Sequence, residues 1–207
     1  MVVCNGAMWD ACKKKVLPQF KICFSIVREC LGTLLNFLTV SSLLVACTGF
    51  FQTFGGYILL GATANFSICL AVFLMTFGIY SANKLTDTKE DAINRPDRLD
   101  FLDGRKETIM FLSIYALILS AIITYFSKQI ALLVLLIPFI ANCVYSSQIH
   151  PALPRLKDIP FVKNIVVGLS WALVCTLMPA VTLEEVLLLP VASVVYLMLI
   201  KDFINST

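Results

Sequence analysis

The chain has 207 residues, of which 59% are hydrophobic and 14% are charged, with a formal net charge of +3. A soluble domain of this length could not bury so much apolar surface, and soluble proteins usually carry about a quarter charged residues. The composition therefore excludes a soluble globular domain and indicates a polytopic membrane protein. It also argues against nucleic-acid binding, because no basic stripe interleaved with aromatic residues lies outside the apolar segments.

The N-terminal segment, residues 1–30, is basic. Within residues 12–30, five Lys and Arg side chains alternate with apolar ones. This pattern is compatible with an amphipathic helix at the membrane surface and equally with an ordinary basic flank of the first span. We expect residues 31–207 to form a separate transmembrane domain.

Six apolar runs follow, each close to the roughly 20 residues that cross a bilayer. Because the runs are continuous and do not alternate, they predict an all-α membrane helical bundle rather than a barrel. Gln52–Gly56 is expected to be a turn between the first two spans. The predicted spans are Leu31–Phe51, Tyr57–Ala82, Thr108–Phe126, Gln129–Ser147, Asn164–Thr182 and Val186–Ile200.

The distribution of Lys and Arg predicts how the bundle is oriented. With six spans, fifteen of these residues fall on one side of the membrane and only Lys128 falls on the other. Basic loops stay on the cytoplasmic side. We therefore expect a multi-pass protein of the cell membrane whose N-terminus and two long polar loops are cytoplasmic.

The eight cysteines favour neither a zinc site nor a disulfide framework. No pair has CxxC spacing, and half of the cysteines lie inside apolar runs. We interpret them as small buried apolar residues.

The main polar segment, Tyr80–Arg98, ends the second span and follows a run without charge from Leu31 to Asn83. If the helix continues through it, Asn83, Asp87 and Asp91 lie on one stripe at four-residue spacing. Carboxylate and amide oxygens suit Mg²⁺, which proteins commonly hold together with substrate phosphates. The pattern suggests a metal–diphosphate site, whereas charged residues in such a segment more often form only a solvated loop.

Two arginines in the same segment extend this interpretation. Pro96 disfavours helix at Arg95, so the chain is expected to turn there. Arg95 and Arg98 could then point back toward the same anion, since arginine binds phosphate through paired planar donors. Metal-binding carboxylates, phosphate-binding arginines and apolar walls together fit a diphosphate with a hydrophobic tail.

The same residues carry a family resemblance. Asn83-x3-Asp87-x3-Asp91 followed by Ile93-Asn94-Arg95-Pro96 and Arg98 resembles the first signature motif of the UbiA superfamily of intramembrane prenyltransferases. The chain has Lys84 where Asp is frequent in that motif, and Leu99 where a second proline is frequent. Tyr145-Ser146-Ser147 leading to Lys157, Pro160 and Asn164 is similar to the family's segment after the fourth helix.

The resemblance implies an activity and a role for each matching residue. Asn83, Asp87 and Asp91 would be the catalytic residues that hold Mg²⁺ on a prenyl diphosphate donor. Arg95, Arg98 and Lys157 would neutralise the phosphates, and Tyr145 could face the allylic cation. Asn164 would complete the substrate-binding set. A hydrophobic acceptor, either an aromatic ring or a lipid-like alcohol, would capture the cation. The alternative role of Tyr145 is that of an aromatic anchor at the membrane interface. Lys157 and Asn164 could instead serve only as a solvated loop residue and a helix cap.

One departure from the family bears on activity. The family has about nine spans and a second Asp-rich motif, D-x-x-x-D, after the sixth, whereas this chain resembles only the N-terminal two thirds. We therefore expect a fold truncated relative to the nine-helix family fold. The chain could be a prenyltransferase or a non-catalytic remnant that binds prenyl diphosphates. A small transporter is disfavoured, because no charged residue lies in the middle of a span.

Overall fold

All regular structure in the described part of the chain is helical. The protein is represented by a computed structural model. It describes residues 24–35, 37–38, 40–86, 99, 102–146, 159, 162–183 and 188–206, with backbone only at 145–146, 163, 188–189 and 202–206. Within this part, the predicted all-α architecture is confirmed.

The chain divides into two compact units at Ser41 and Ser42. In the first unit, residues 24–35 are helical and entirely exposed. Ser42, the first residue of the second unit, has a φ of 70°. A right-handed helix cannot pass through such a residue, so the prediction of one continuous helix over Leu31–Phe51 is wrong.

The second unit contains six helices among its described residues. Helices three to six of this set lie within a few residues of the last four predicted spans. The bounds are α1 Leu43–Leu59, α2 Phe66–Thr86, α3 Lys106–Ser127, α4 Ala131–Ser146, α5 Val162–Ala180 and α6 Leu188–Ser206.

The turn between α1 and α2 lies later than predicted. Gln52–Gly56 is helical, so that expectation is wrong, and the second predicted span begins nine residues too early, at Tyr57 instead of Phe66. The chain turns instead near Gly61, whose φ is 68°. Asn65 then starts α2, because its Oδ1 accepts hydrogen bonds from the backbone N–H groups of Ser67 (3.0 Å) and Ile68 (3.4 Å).

Helix α2 occupies the centre of the second unit. It contacts α1, α3, α4 and α5, and its buried side chains include Ile68, Val72 and Met75. They form one apolar cluster with residues of α1, α4 and α5. A helix that is apolar nearly all round is expected to be enclosed by other helices, so the last turn of α2 emerges among its neighbours.

Small polar residues join α3 to α2. The Ser113 hydroxyl donates to the carbonyl oxygen of Gly78 at 2.5 Å, and the Ser120 hydroxyl donates to that of Ala71 at 2.6 Å. Seven residues separate the bonds on both helices and the order is reversed, so the two helices are antiparallel. Close packing through small residues, with hydroxyls bonding a neighbouring backbone, is characteristic of helix pairs in membranes.

Helices α1 and α5 run parallel and also approach closely. Thr53 donates to the Cys175 sulfur at 3.8 Å, and the Tyr57 and Thr182 hydroxyls lie 2.9 Å apart. A Cβ added to Gly56 would overlap the carbonyl oxygen of Cys175. The Cys175 carbonyl can face Gly56 because Pro179, four residues later, has no N–H to bond it within α5.

The outer surface of α3 is apolar. Phe111, Tyr115 and Phe126 are more than 60% exposed, while Ser113 and Ser120 are buried on the inner face. This distribution is the reverse of that in a soluble protein and fits a helix in contact with lipid. By length and hydropathy, α2 and α3 can each cross a membrane; α1 and the apolar parts of α4, α5 and α6 are shorter.

The cysteines do not all behave as predicted. Among those described, Cys69 and Cys175 are buried, whereas Cys30 and Cys143 are exposed. All five described cysteines are free thiols. The interpretation as buried apolar residues is thus right for the inner helices and wrong for the outer positions.

Candidate functional site

The directions of the helices bring both long polar loops to one end of the second unit. Helix α2 ends, and the antiparallel α3 begins, at the loop of residues 87–105. Helix α4 ends and α5 begins at the loop of residues 147–161. Asn83 on α2 bonds Asn142 on α4, so the two loops leave the bundle from neighbouring helix ends.

Asn83, near the C-terminal end of α2, is paired with Asn142 of α4 at this end of the bundle. Its Nδ2 donates to the Asn142 Oδ1 at 2.8 Å, and the Asn142 Nδ2 donates back to the Asn83 Oδ1 at 3.1 Å. Both side chains are half-buried. The reciprocal pair joins α2 to α4 and couples the orientations of the two carboxamides, so that neither can exchange its oxygen and nitrogen alone.

An aromatic pair lies one turn deeper. The indole Nε1–H of Trp171 on α5 donates to the Tyr80 hydroxyl on α2 at 3.3 Å, and the ring centroids are 6.3 Å apart. Gly49 on α1 supports the indole, because a Cβ at that position would be 3.1 Å from two of its ring carbons. Two helices thus bring aromatic rings together one turn before Asn83 on α2.

The described part of the segment between α2 and α3 includes a buried leucine. Leu102 has no exposed surface, and the turn around it closes with hydrogen bonds from Asp103 N to Leu99 O (2.9 Å) and from Arg105 N to Leu102 O (3.0 Å). Gly104, with a φ of 67°, then redirects the chain into α3. A buried leucine in a polar loop argues against a loop that is solvated throughout.

The predicted site residues are described only in part. Asn83 lies near the C-terminal end of α2, and Asn164 is half-exposed in the first turn of α5. Tyr145 belongs to the last turn of α4, but its side chain lies outside the described residues. The remaining predicted residues also lie outside them; these are Asp87, Asp91, Arg95, Arg98 and Lys157.

Sequence reasoning missed the partners of this site. Asn142 and Trp171 lie inside apolar runs and belong to neither of the motifs discussed above. A signal for Asn142 was available, because a carboxamide within a membrane helix is costly unless it is paired or functional. For Trp171 no such signal existed, since an aromatic residue in a span is equally compatible with ordinary packing.

The available donors are compatible with a hard cation such as Mg²⁺. The C-terminal end of α2 carries a partial negative charge from its backbone dipoles, which favours a cation there. Asn83 retains one lone pair on Oδ1, because a carbonyl oxygen can accept two bonds and Asn142 supplies only one. Within the described ranges, which omit Asp87 and Asp91, no cluster of three His, Cys, Asp or Glu forms a metal site.

Comparison with known proteins yields one family. The model of the UbiA prenyltransferase family matches residues 33–201, which is most of the chain. No curated protein and no solved structure shows a significant match.

Proposed function

Because the chain belongs to the UbiA prenyltransferase family, we propose that it transfers a prenyl group from a prenyl diphosphate to a hydrophobic acceptor. The acceptor class is an aromatic ring or a lipid-like alcohol. The observation that carries the proposal is the position of Asn83. Its side chain bonds α4 near the end of the central helix, four residues before Asp87 in the sequence and three residues after Tyr80 of the aromatic pair.

The proposed roles follow the chain. Asn83, Asp87 and Asp91 would hold Mg²⁺, which when bound would supply charge neutralisation for the diphosphate leaving group. Arg95, Arg98 and Lys157 bind the phosphate oxygens, while Asn164 lines the entrance from α5. The carbon–oxygen bond breaks with its electrons leaving on the diphosphate.

The chain's aromatic and apolar side chains protect the resulting cation. Tyr80 and Trp171 provide ring surface one turn before Asn83, and Tyr145 is a further candidate for cation–π stabilisation. The walls exclude water, so the acceptor forms the new carbon bond and then releases a proton. Positioning and electrostatic stabilisation of the leaving group provide most of the catalysis in this scheme.

Described charges support the proposed orientation in the cell membrane. Lys84, Arg105 and Lys106 belong to the loop end of the bundle, whereas Lys128 lies at the opposite end of α3. We propose that the loop end is cytoplasmic. A green fluorescent protein fused after Thr207 should then fluoresce, and alkaline phosphatase fused there should be inactive; the reverse result would invert the topology.

Binding of farnesyl diphosphate to the purified 207-residue chain tests the site. We expect Mg²⁺-dependent binding that Asp87→Ala or Asp91→Ala abolishes. Asp103→Ala is the matched control, because Asp103 is an exposed carboxylate of the same loop and its loss changes the net charge equally. Unchanged binding in both Asp87 and Asp91 variants, or equal loss in the control, would contradict the assignment.

Turnover separates the two hypotheses for function. Release of diphosphate that depends on an added phenolic or lipid-alcohol acceptor would demonstrate transfer. Binding without release across both acceptor classes would instead favour a protein that binds prenyl diphosphates without catalysis.

A further inference from the structure

Asn142 has an unusual setting for a carboxamide. It is the first hydrogen-bonding side chain of α4, after eleven residues that are all apolar. A carboxamide in such apolar surroundings destabilises the fold unless its N–H and its oxygen both form hydrogen bonds. Asn83 uses one of each, through bonds of 2.8 and 3.1 Å.

The pair restricts Asn83 in a specific way. The terminal torsion of an asparagine is broad and roughly two-fold, so the oxygen and nitrogen of a free carboxamide readily exchange places. Reciprocal bonding to Asn142 opposes that exchange, because rotating Asn83 alone would face oxygen with oxygen and nitrogen with nitrogen. One lone pair of the Asn83 Oδ1 remains for another partner.

We infer that Asn142 is a positioning residue, which holds the Asn83 carboxamide so that its oxygen is presented to the cation of the prenyl diphosphate complex. This inference rests on the proposed function, in which Asn83 is a metal ligand. Partners that orient metal ligands typically change metal affinity by about 10- to 100-fold when removed. Asn142 itself touches neither substrate nor cation in this scheme.

The alternative is that the hydrogen-bonded pair only holds α4 against α2. The two roles can be distinguished by replacing Asn83 with a side chain whose two terminal atoms are equivalent. Aspartate at position 83 has two equivalent oxygens, so its orientation needs no partner. Substitution of Asn142 should therefore weaken Mg²⁺-dependent binding when residue 83 is Asn and change it little when residue 83 is Asp. If the pair only holds the helices together, substitution of Asn142 should have the same effect on binding whether residue 83 is Asn or Asp.

The experiment measures the Mg²⁺ concentration that gives half-maximal binding of farnesyl diphosphate. We expect Asn142→Leu, which keeps the side-chain volume, to raise it about tenfold in the natural chain. In the Asn83→Asp background, the same substitution should change it by less than about threefold. An unchanged value in the natural chain, or the same factor in both backgrounds, would overturn the inference.

Folding is measured separately, without Mg²⁺ or prenyl diphosphate. Asn142→Ser is the second variant, since a serine hydroxyl can bond its own helix at the carbonyl four residues earlier and cannot make both bonds to Asn83. It should reproduce the shift in Mg²⁺ requirement even if Asn142→Leu fails to fold. A serine variant that needs no more Mg²⁺ than the natural chain would count against positioning.

The outcome for the natural chain distinguishes this inference from the proposed function. Absence of Mg²⁺-dependent binding, or no effect of Asp87→Ala, would remove the proposed function together with the inference. Binding that Asp87→Ala abolishes and Asn142→Leu leaves intact would overturn the inference alone.

Discussion

The contact between α1 and α5 allows a sharp test of the fold, the substitution Gly56→Ala. A Cβ at position 56 would overlap the Cys175 carbonyl oxygen and lie 3.2 Å from both the Cys175 carbonyl carbon and the Pro179 Cγ. Real Cβ atoms essentially never come within 3.0 Å of another heavy atom, so relieving the overlap with the carbonyl oxygen would separate the helices by roughly 1 Å. The obstacle is backbone, which cannot move aside as a side chain can.

Gly55→Ala is the matched control, because nothing lies within 4 Å of a Cβ at the neighbouring position. Both substitutions gain the same helix propensity, about 0.5–1 kcal/mol. The difference between them therefore isolates the overlap, for which overpacking costs of about 1–3 kcal/mol are typical. We expect Gly56→Ala to be less stable than Gly55→Ala by about 2–3 kcal/mol.

The measurement is the free energy of unfolding, obtained by titrating SDS into detergent micelles that contain each variant. If the two alanine variants unfold within about 0.5 kcal/mol of each other, a margin typical of surface changes, then α1 and α5 do not approach as described. The parallel packing of these helices would then need revision.

Two further predictions concern other contacts of the second unit. Ser113→Ala and Ser120→Ala should each lower the free energy of unfolding by about 0.6 kcal/mol, the average for hydrogen bonds between membrane helices. In the double variant the two losses should add. No change in the same SDS titration would show that these hydrogen bonds do not form. Leu102→Ala should cost about 2–5 kcal/mol, as for other fully buried leucines, and should make the segment that contains it more susceptible to proteolysis than in the natural chain. Resistance of that segment equal to the natural chain's would show that Leu102 does not stabilise it.

The positions of the turns show where sequence reasoning failed. Two adjacent glycines made Gln52–Gly56 a reasonable turn. In the structure Gly56 instead permits contact with α5, and the turn lies at Gly61. A glycine used for packing and a glycine used for chain reversal look alike until the neighbouring helix is known.

The site shows the same division. The order of the apolar runs and the spacing of Asn83, Asp87 and Asp91 are local properties, so the sequence alone was sufficient to predict a helical membrane bundle with a polar segment after its second span. The resemblance of that segment to the UbiA motif supplied the family. The family match over residues 33–201 confirms that assignment. The metal and phosphate roles of the individual residues stay predictions.

What only the tertiary structure decided is which side chains meet across helices. Asn142 lies 59 residues from Asn83, and Trp171 lies 91 residues from Tyr80. Composition and spacing within one segment contain no information about such distant pairs, because they depend on how the helices pack. The bundle brings them together because α2 contacts both α4 and α5.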